Sequence, residues 1–225
     1  LCGEKMNYFD IMKKRKHVRD YDMNIIPPKK HIEEILQKAY ELTPSKQNAI
    51  PYEVSVLGPD KQDDKDKIYE RVVGNHKFME KYGLYPWQGE RDRENPDYQH
   101  VRYNPYLLMI STRWVRKTNE HYQNEISKGH YMEQMDKERI KRGDDSNGVG
   151  MEVGLYTTNL TGLTVEKGWD ISYCLCFHRN MKYWEEFDYV KFRPMLLVSI
   201  GKAKRYRGII PGDTKPNIED IVKWI

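Results

Sequence analysis

The chain has 225 residues, of which 38% are apolar and 32% charged, with a formal net charge of +4 at pH 7. This length allows one substantial hydrophobic core, and the composition is ordinary for a soluble globular protein. Basic residues are interspersed with acidic ones and form only local clusters, which argues against a nucleic-acid-binding face. No apolar run approaches the roughly 20 residues of a membrane-spanning helix, so we expect no membrane partner.

The cysteine content argues against both a disulfide scaffold and a metal site. The three cysteines, Cys2, Cys174 and Cys176, are an odd number. The last two are separated by one residue instead of the two that zinc and thioredoxin-like sites use. We interpret Cys174 and Cys176 as a buried helical pair of thiols, and we expect a reducing, cytoplasmic location. Residues 1–5 have no apolar signal core, and Met6 is a candidate start of the natural chain.

A dense group of cationic side chains follows the first predicted helix, which spans residues 7–14. We name this group the basic cluster, and it consists of Arg15, Lys16, His17 and Arg19. Arginine offers a planar fork that matches phosphate oxygens, and lysine offers a compact positive charge. The cluster therefore suits a phosphate group, although an isolated one is more often a solvated helix end that stabilises the helix dipole.

A polar loop lies further along the chain and leads directly into a predicted strand. This polar loop contains Pro44, Ser45, Lys46 and Asn48. Before it, prolines 27–28 mark the start of a helix. The apolar residues of that helix recur at helical spacing and are Ile32, Ile35, Leu36, Ala39 and Leu42. The helix is expected to carry the basic cluster and the polar loop to its opposite ends.

The two motifs, in this order and with a helix between them, resemble the nitroreductase family of FMN-dependent oxidoreductases. That family carries an Arg-x-Ser-x-Arg-type cluster after its first helix and, about 25 residues later, a Pro-Ser-x-x-Asn-x-x-Pro-Trp-type loop. Here His17 stands where serine is usual, and Tyr52 stands where tryptophan is usual. The resemblance covers most of the chain and leaves out two variable lid or insert regions near residues 79–104 and 114–142.

The resemblance implies an α+β fold of three layers, in which a central, mostly antiparallel sheet is flanked by helices. Residues 1–225 would form a single FMN-binding domain, and two chains would form an intertwined homodimer with FMN at the interface. The basic cluster and the polar loop would then come from different subunits. The implied activity is NADH- or NADPH-dependent reduction of nitroaromatics, quinones or related small molecules by a ping-pong mechanism. Because FMN performs the redox chemistry, no catalytic side chain is predicted.

The resemblance also implies roles for individual cations. Arg15 and Lys16 would bind the FMN phosphate, and Arg19 would lie further along the ligand, where a fixed cation near the pyrimidine edge favours the reduced flavin. Near the C-terminus, Lys215 matches a family motif that supplies a cation to the same phosphate. Asn217 stands where a second cation often occurs, and it is also suited to cap the last helix.

A long helix is predicted from Gly148 to Leu163, with apolar residues around much of its circumference and Gly162 near its C-terminal end. Gly148, Gly150 and Gly154 miss the dinucleotide-binding spacing, and we interpret them as sites of close helix packing, including packing across a dimer interface. In the family, a short loop after this helix directs a backbone N–H at flavin N5. The equivalent residues here are Glu166, Lys167 and Gly168.

The remaining elements follow from local patterns. Strands are predicted at residues 52–58, 106–111 and 193–201. Helices are predicted around Ile68, Val72 and Phe78 and, from their aromatic content, at residues 169–187.

Two other classes of function stay open at this point. One is a related flavoenzyme with different chemistry, such as reductive dehalogenation, flavin fragmentation or azoline oxidation. The other is a non-catalytic flavin- or nucleic-acid-binding protein. The visible spectrum of the purified protein, followed by a substrate screen, distinguishes these classes because bound flavin absorbs visible light.

Overall fold

The computed structural model describes residues 7–45, 50–72, 99–113, 147–206 and 217–223. The described helices are α1 (Tyr8–Lys14), α2 (Lys29–Leu42), α3 (Gln62–Glu70), α4 (Gln99–Arg102), α5 (Asn147–Glu166) and α6 (Ile218–Ile221). The described strands are β1 (Val18–Tyr21), β2 (Tyr52–Leu57), β3 (Tyr106–Thr112), β4 (Asp170–Cys174), β5 (Pro194–Gly201) and β6 (Ala203–Tyr206), and a 3-10 helix spans Met181–Tyr183. Helices and antiparallel sheets together confirm the predicted α+β class.

β3 and β5 form the centre of a four-stranded antiparallel sheet with the strand order β2-β3-β5-β4. Every residue of these two strands is buried, which explains why each reads as a continuous apolar run. Successive side chains point to opposite faces. Leu108 and Ile110 therefore enter one hydrophobic core, while Leu107 and Met109 enter another. The two cores separate three layers with the sheet in the middle, as predicted.

Helices α2 and α5 cover the first face of the sheet. Their core side chains are Ile32, Ile35 and Ala39 of α2 and Val153, Tyr156 and Leu160 of α5. The other side of α5 is open, since Met151 is 66% and Leu155 40% exposed. No described atom outside the helix backbone lies within 4 Å of a Cβ built on Gly150 or Gly154. We predict burial around much of the circumference of this helix, but in a single chain only the side that faces the sheet is buried.

α3, α4 and the segment of residues 177–190 cover the second face. Arg71 lies at the centre of this layer and is 1% exposed. Its Nε donates to the carbonyl of Tyr183 at 3.0 Å, and its Nη1 donates to the carbonyl of Lys67 at 2.6 Å. The guanidinium also pairs with Glu186 and lies 5.0 Å from the ring centre of Phe187. Arg71 therefore fastens the irregular segment to α3.

β1 and β6 pair antiparallel as a two-stranded ribbon, which packs against the central sheet. The hydroxyl of Tyr21 in β1 donates to the carbonyl of Ser199 in β5 at 2.7 Å. Neither ribbon strand is evident from the sequence, because each has 4 residues, carries charge and pairs with a segment far along the chain. The ribbon positions the basic cluster, of which Arg15, Lys16 and His17 precede β1 and Arg19 lies in β1.

Gly201 is expected to accept no larger residue without a loss of stability. A Cβ at this position would lie 2.6 Å from Cδ of Pro105 and 2.8 Å from Cδ1 of Tyr21, so Gly201→Ala would push the ribbon away from the sheet. We expect the free energy of unfolding to fall by about 1–3 kcal/mol, as overpacking does, and urea denaturation measures this change.

Gly162→Ala is the matched control for this prediction. Gly162 lies inside α5, and no atom outside the helix backbone is within 4 Å of its built Cβ. Alanine is favoured over glycine in a helix by about 0.8–1.0 kcal/mol, so this variant should be as stable as the parent or more so. A Gly201→Ala protein that unfolds at the same urea concentration as the parent would contradict the close packing of the ribbon.

The helix predicted at residues 169–187 is wrong. This segment forms β4, irregular chain and the 3-10 helix, and its aromatic residues Phe177, Trp184 and Phe187 pack into the second core. Cys174 is buried at the end of β4, and Cys176 is exposed beyond it, so they are not a helical pair. The aromatic spacing resembles that of a helix because a compact irregular segment also buries side chains every few residues.

The helix predicted around Ile68 and Val72 is present but shorter. It ends at Glu70, and Val72 instead forms an isolated bridge with Phe177. Phe78 and residues 79–98 and 114–142 lie outside the described residues, whereas the end of the first variable region forms α4. Among the described helices, none has the length and apolarity that crossing a membrane requires.

Candidate functional site

The basic cluster connects α1 to β1 in an extended conformation. Arg15 has φ −63° and ψ 123°, so the chain leaves the helix here. The guanidinium carbon of Arg15 lies 5.4 Å from the ring centre of Tyr173, and Nζ of Lys16 lies 5.2 Å from the ring centre of Tyr206. Both cations are exposed. Neither has a carboxylate of the described residues within salt-bridge distance, so both positive charges are available to an anionic ligand.

His17 and Arg19 contribute differently to the basic cluster, because both are turned into the protein. Nε2 of His17 lies 3.5 Å from Oγ of Ser172 in β4. The imidazole also packs edge-on against that of His100, with ring centres 5.6 Å apart. Arg19 lies in β1 and is only 7% exposed. The structure largely buries the side chains of His17 and Arg19, and their contacts with a flavin stay predictions.

The polar loop begins just after α2 ends. Pro44 is exposed, and Oγ of Ser45 accepts a hydrogen bond from the backbone N–H of Ile50 at 2.8 Å. This bond holds the two ends of the loop together. The other predicted site residues of the loop, Lys46 and Asn48, lie outside the described residues.

Two residues next to the basic cluster and the polar loop, Tyr173 and Thr43, contact opposite sides of α5. The hydroxyl of Tyr173, whose ring supports the basic cluster, hydrogen-bonds to the hydroxyl of Thr161 and lies 3.4 Å from the carbonyl of Thr157. Thr43, which precedes the polar loop, accepts a hydrogen bond from Asn159 at 3.0 Å. Asn159 is two positions from either α5 threonine, a rotation of about 200° around the helix. One chain therefore does not bring the two predicted groups together through these contacts.

The C-terminal end of α5 differs from the prediction. The helix continues to Glu166 instead of ending at Gly162, and its last turn is closed by a Schellman motif. The N–H of Gly168 donates to the carbonyl of Val165 at 2.9 Å, and the N–H of Trp169 donates to the carbonyl of Thr164 at 3.0 Å. Gly168 has φ +82°, which glycine adopts without strain. Gly168, and not Gly162, is therefore the terminating glycine.

The predicted flavin N5 loop is accordingly part of a helix end. The N–H of Lys167 donates to the carbonyl of Leu163 at 3.1 Å, so the N–H groups of residues 167 and 168 are both engaged by the helix. The side chain of Lys167 pairs with Glu34 of α2, with Nζ and Oε2 2.5 Å apart, and this hydrogen bond lowers the pKa of Glu34. Glu166 is exposed. A flavin contact at Glu166, Lys167 or Gly168 stays a prediction, with the backbone N–H groups of residues 167 and 168 bonded to helix carbonyls in this structure.

The arrangement fits the phosphate end of FMN better than its ring end. Two exposed cations without a described carboxylate partner suit a dianionic phosphate. Lys215, the third predicted phosphate ligand, lies outside the described residues. Asn217 occupies the position before α6, but its side chain makes no capping hydrogen bond. Within the described residues, no group of three or more histidine, cysteine or acidic side chains is arranged to hold a metal ion.

The sequence carries only part of this arrangement. The positions of Arg15 and Lys16 after a short helix predict the cations themselves. The rings of Tyr173 and Tyr206 are missed, because each belongs to a strand far along the chain and nothing local links it to the basic cluster. The acidic residue beside Tyr206, Asp170, is missed for the same reason.

Comparisons with known proteins place this architecture among solved folds. No protein-family model matches the sequence, and no curated protein matches it either. A candidate NAD(P)H:FMN oxidoreductase from Staphylococcus epidermidis matches with a TM-score of 0.66 and 17% identity over 99% of both chains. A candidate nitroreductase from Exiguobacterium sibiricum, solved in complex with FMN, matches with a TM-score of 0.63 and 18% identity over 98% of both chains.

A BluB-like flavoprotein from Clostridium difficile also matches, with a TM-score of 0.60 and 16% identity over 98% of this chain and 99% of the other. Such low identities show the fold alone. Nitroreductase-family structures recur among these neighbours, which confirms the fold that the two sequence motifs predict.

Proposed function

We propose that this protein is an FMN-dependent oxidoreductase that uses NADH or NADPH to reduce quinones, nitroaromatics or related small molecules. The observation that carries the proposal is the exposed pair Arg15 and Lys16, which lacks a described carboxylate partner in a fold that binds FMN in a solved neighbour. When bound, FMN supplies the hydride chemistry.

The residues of this chain bind and orient the cofactor in this proposal. Arg15 and Lys16 neutralise the phosphate together with Lys215, and His17 and Arg19 support them from the interior. A side-chain nucleophile is not required. Burial raises the pKa of the Cys174 thiol to about 12, so this thiol is protonated at neutral pH and is a poor nucleophile.

The proposed assembly is a homodimer in the cytoplasm, with residues 1–225 of each chain forming one domain. Its support is an apolar surface that a single chain leaves open on α1 and α5, which we name the open face. The open face consists of Tyr8, Phe9, Met151 and Leu155, which are 40–72% exposed. In the arrangement that the resemblance to the nitroreductase family implies, the polar loop of a second chain, with Pro44, Ser45, Lys46 and Asn48, would meet the basic cluster of the first.

Leu155→Glu is expected to convert this dimer into monomers. A carboxylate in the middle of a buried apolar interface loses its hydration without a partner, which costs several kcal/mol. Light scattering at a fixed protein concentration measures the mass. Leu175→Glu is the control, because Leu175 is also exposed but follows β4 and lies outside the open face. A Leu155→Glu protein with the parental mass would contradict a dimer through the open face.

Anaerobic reduction tests the proposed activity. NADH or NADPH should bleach the visible absorption of the FMN-loaded protein, and a quinone or nitroaromatic should restore it. Parallel lines in double-reciprocal plots would support the ping-pong scheme. A flavin that stays oxidised with both nicotinamides contradicts the reductase proposal and favours a related flavoenzyme or a non-catalytic flavin protein.

A further inference from the structure

We infer that Tyr173 and Tyr206 are positioning residues, whose rings hold Arg15 and Lys16 in the geometry that receives the phosphate of the ligand. This inference rests on the proposed FMN site and adds to it the side chains that order its cations. The two tyrosines belong to different sheets, and each one serves a different cation.

Hydrogen bonds to α5 fix the ring of Tyr173. Tyr173 lies in β4, where its hydroxyl bonds with the hydroxyl of Thr161 and lies 3.4 Å from the carbonyl of Thr157. The guanidinium carbon of Arg15 lies 5.4 Å from the ring centre, inside the ~6 Å range of a cation–π contact. Because the ring is held at its hydroxyl end, it offers Arg15 a surface of fixed orientation.

The ring of Tyr206 is fixed by a second and independent set of bonds. Its hydroxyl donates to Oδ1 of Asp170 at 3.0 Å, and Oδ2 of Asp170 accepts the backbone N–H of Ala203 at 2.9 Å. Lys202 lies 3.8 Å from the same carboxylate. Asp170 is thus engaged by the ribbon, and Lys16 lies over the tyrosine ring instead of forming an ion pair.

The two rings reduce the entropic cost of ordering Arg15 and Lys16 when a ligand binds. Arginine and lysine side chains have many rotamers, and a ligand that binds them must order those rotamers at an entropic cost. A fixed ring on one side restricts each cation before binding, and it leaves the other side of the charge open. The ring also leaves the positive charge of the cation un-neutralised, whereas a carboxylate partner would neutralise it.

The test compares leucine and phenylalanine at each tyrosine position. Phenylalanine keeps the aromatic face, whereas leucine keeps bulk but removes the ring quadrupole. Tyr173→Leu and Tyr206→Leu should each weaken FMN binding about two- to fivefold, the range expected of an exposed cation–π contact. The phenylalanine variants keep the ring but lose the hydroxyl bond that orients it, so their affinity for FMN should lie between that of the parent and that of the leucine variants. Riboflavin, which lacks the phosphate, should bind all four variants as it binds the parent.

A double-mutant cycle adds a readout that a purely structural role would not move. In an Arg15→Ala protein, Tyr173→Leu should have little further effect on FMN binding, because the ring then has no cation to hold. Tyr206→Leu should keep its full effect there, since it acts through Lys16.

Each contrary result has a separate meaning. If the leucine variants weaken riboflavin binding as much as FMN binding, or if phenylalanine weakens FMN binding more than leucine does, the positioning role is refuted while the FMN site survives. Unchanged FMN affinity in both leucine variants refutes it as well. If the parent protein binds no FMN, the proposed function fails first, and this inference falls with it.

Discussion

Arg71→Met is expected to lower the free energy of unfolding by about 2–4 kcal/mol, because Arg71 donates to two carbonyls and a buried acceptor left without its donor costs roughly 1–3 kcal/mol. The substitution removes the donor to the carbonyl of Tyr183 in the second core and the donor to the partly buried carbonyl of Lys67. It also removes the pairing with Glu186 and the contact with the ring of Phe187. Residues 177–190 should therefore lose their attachment to α3, and denaturant unfolding monitored by tryptophan fluorescence would measure the loss.

Arg102→Met is the matched control for this prediction. Arg102 also pairs with a carboxylate, that of Asp66, and lies 4.9 Å from the ring centre of Tyr103. Its side chain is 33% exposed, and exposed pairs contribute about 0–1 kcal/mol. Comparable losses in the two variants would contradict the special role of Arg71.

Arg15→Ala is expected to weaken FMN binding about tenfold to a hundredfold. A charge-assisted hydrogen bond to the phosphate contributes roughly 1.5–3 kcal/mol, and its loss leaves the phosphate charge under-neutralised. Fluorescence titration of the apoprotein with FMN measures the change. Lys13→Ala is the control, because Lys13 is an exposed cation in the last turn of α1 and solvated charges contribute little. Equal small effects in both variants would mean that Arg15 is a solvated helix-end residue.

Mixed dimers extend this prediction to the shared site. Arg15→Ala removes an FMN contact of the basic cluster, and Asn48→Ala removes an FMN contact of the polar loop. If Arg15 and Asn48 of one FMN site come from different subunits, a dimer with one chain of each variant has one intact site and one doubly altered site. The flavin occupancy of the mixed dimers should then exceed that of the Arg15→Ala homodimer and that of the Asn48→Ala homodimer. Mixed dimers with no gain in occupancy would refute the two-subunit site even if FMN binds.

Elements that local sequence patterns determine were predicted correctly, whereas elements that depend on contacts between residues distant in sequence were not. β3 and β5 were predictable because burial on both faces makes their sequences apolar throughout, and α2 because its apolar residues recur at helical spacing. The ribbon was not, since β1 and β6 are short, charged and distant in sequence. The end of α5 was misplaced because Gly162 and Gly168 are both plausible caps, and only the backbone hydrogen bonds of the last turn distinguish them.

The same distinction applies to the site. Arg15 and Lys16 were predictable from residue type and position, because phosphate recognition requires cations and the motif order is specific. The rings beneath them depend on β4 and β6 meeting the start of β1, which no local pattern encodes. The predicted N5 donors at residues 166–168 depend on where α5 ends, and they stay a prediction at a helix end that the sequence places several residues too early.

FMN binding through the basic cluster is the property on which the proposed function depends. Titration of the apoprotein with FMN, followed by its visible spectrum, measures this binding. We expect saturable binding at or below micromolar FMN, one FMN per chain, and flavin absorption bands at ~370 and ~450 nm. A protein of native fold that binds no FMN at micromolar concentration, with no flavin band after gel filtration, would contradict it.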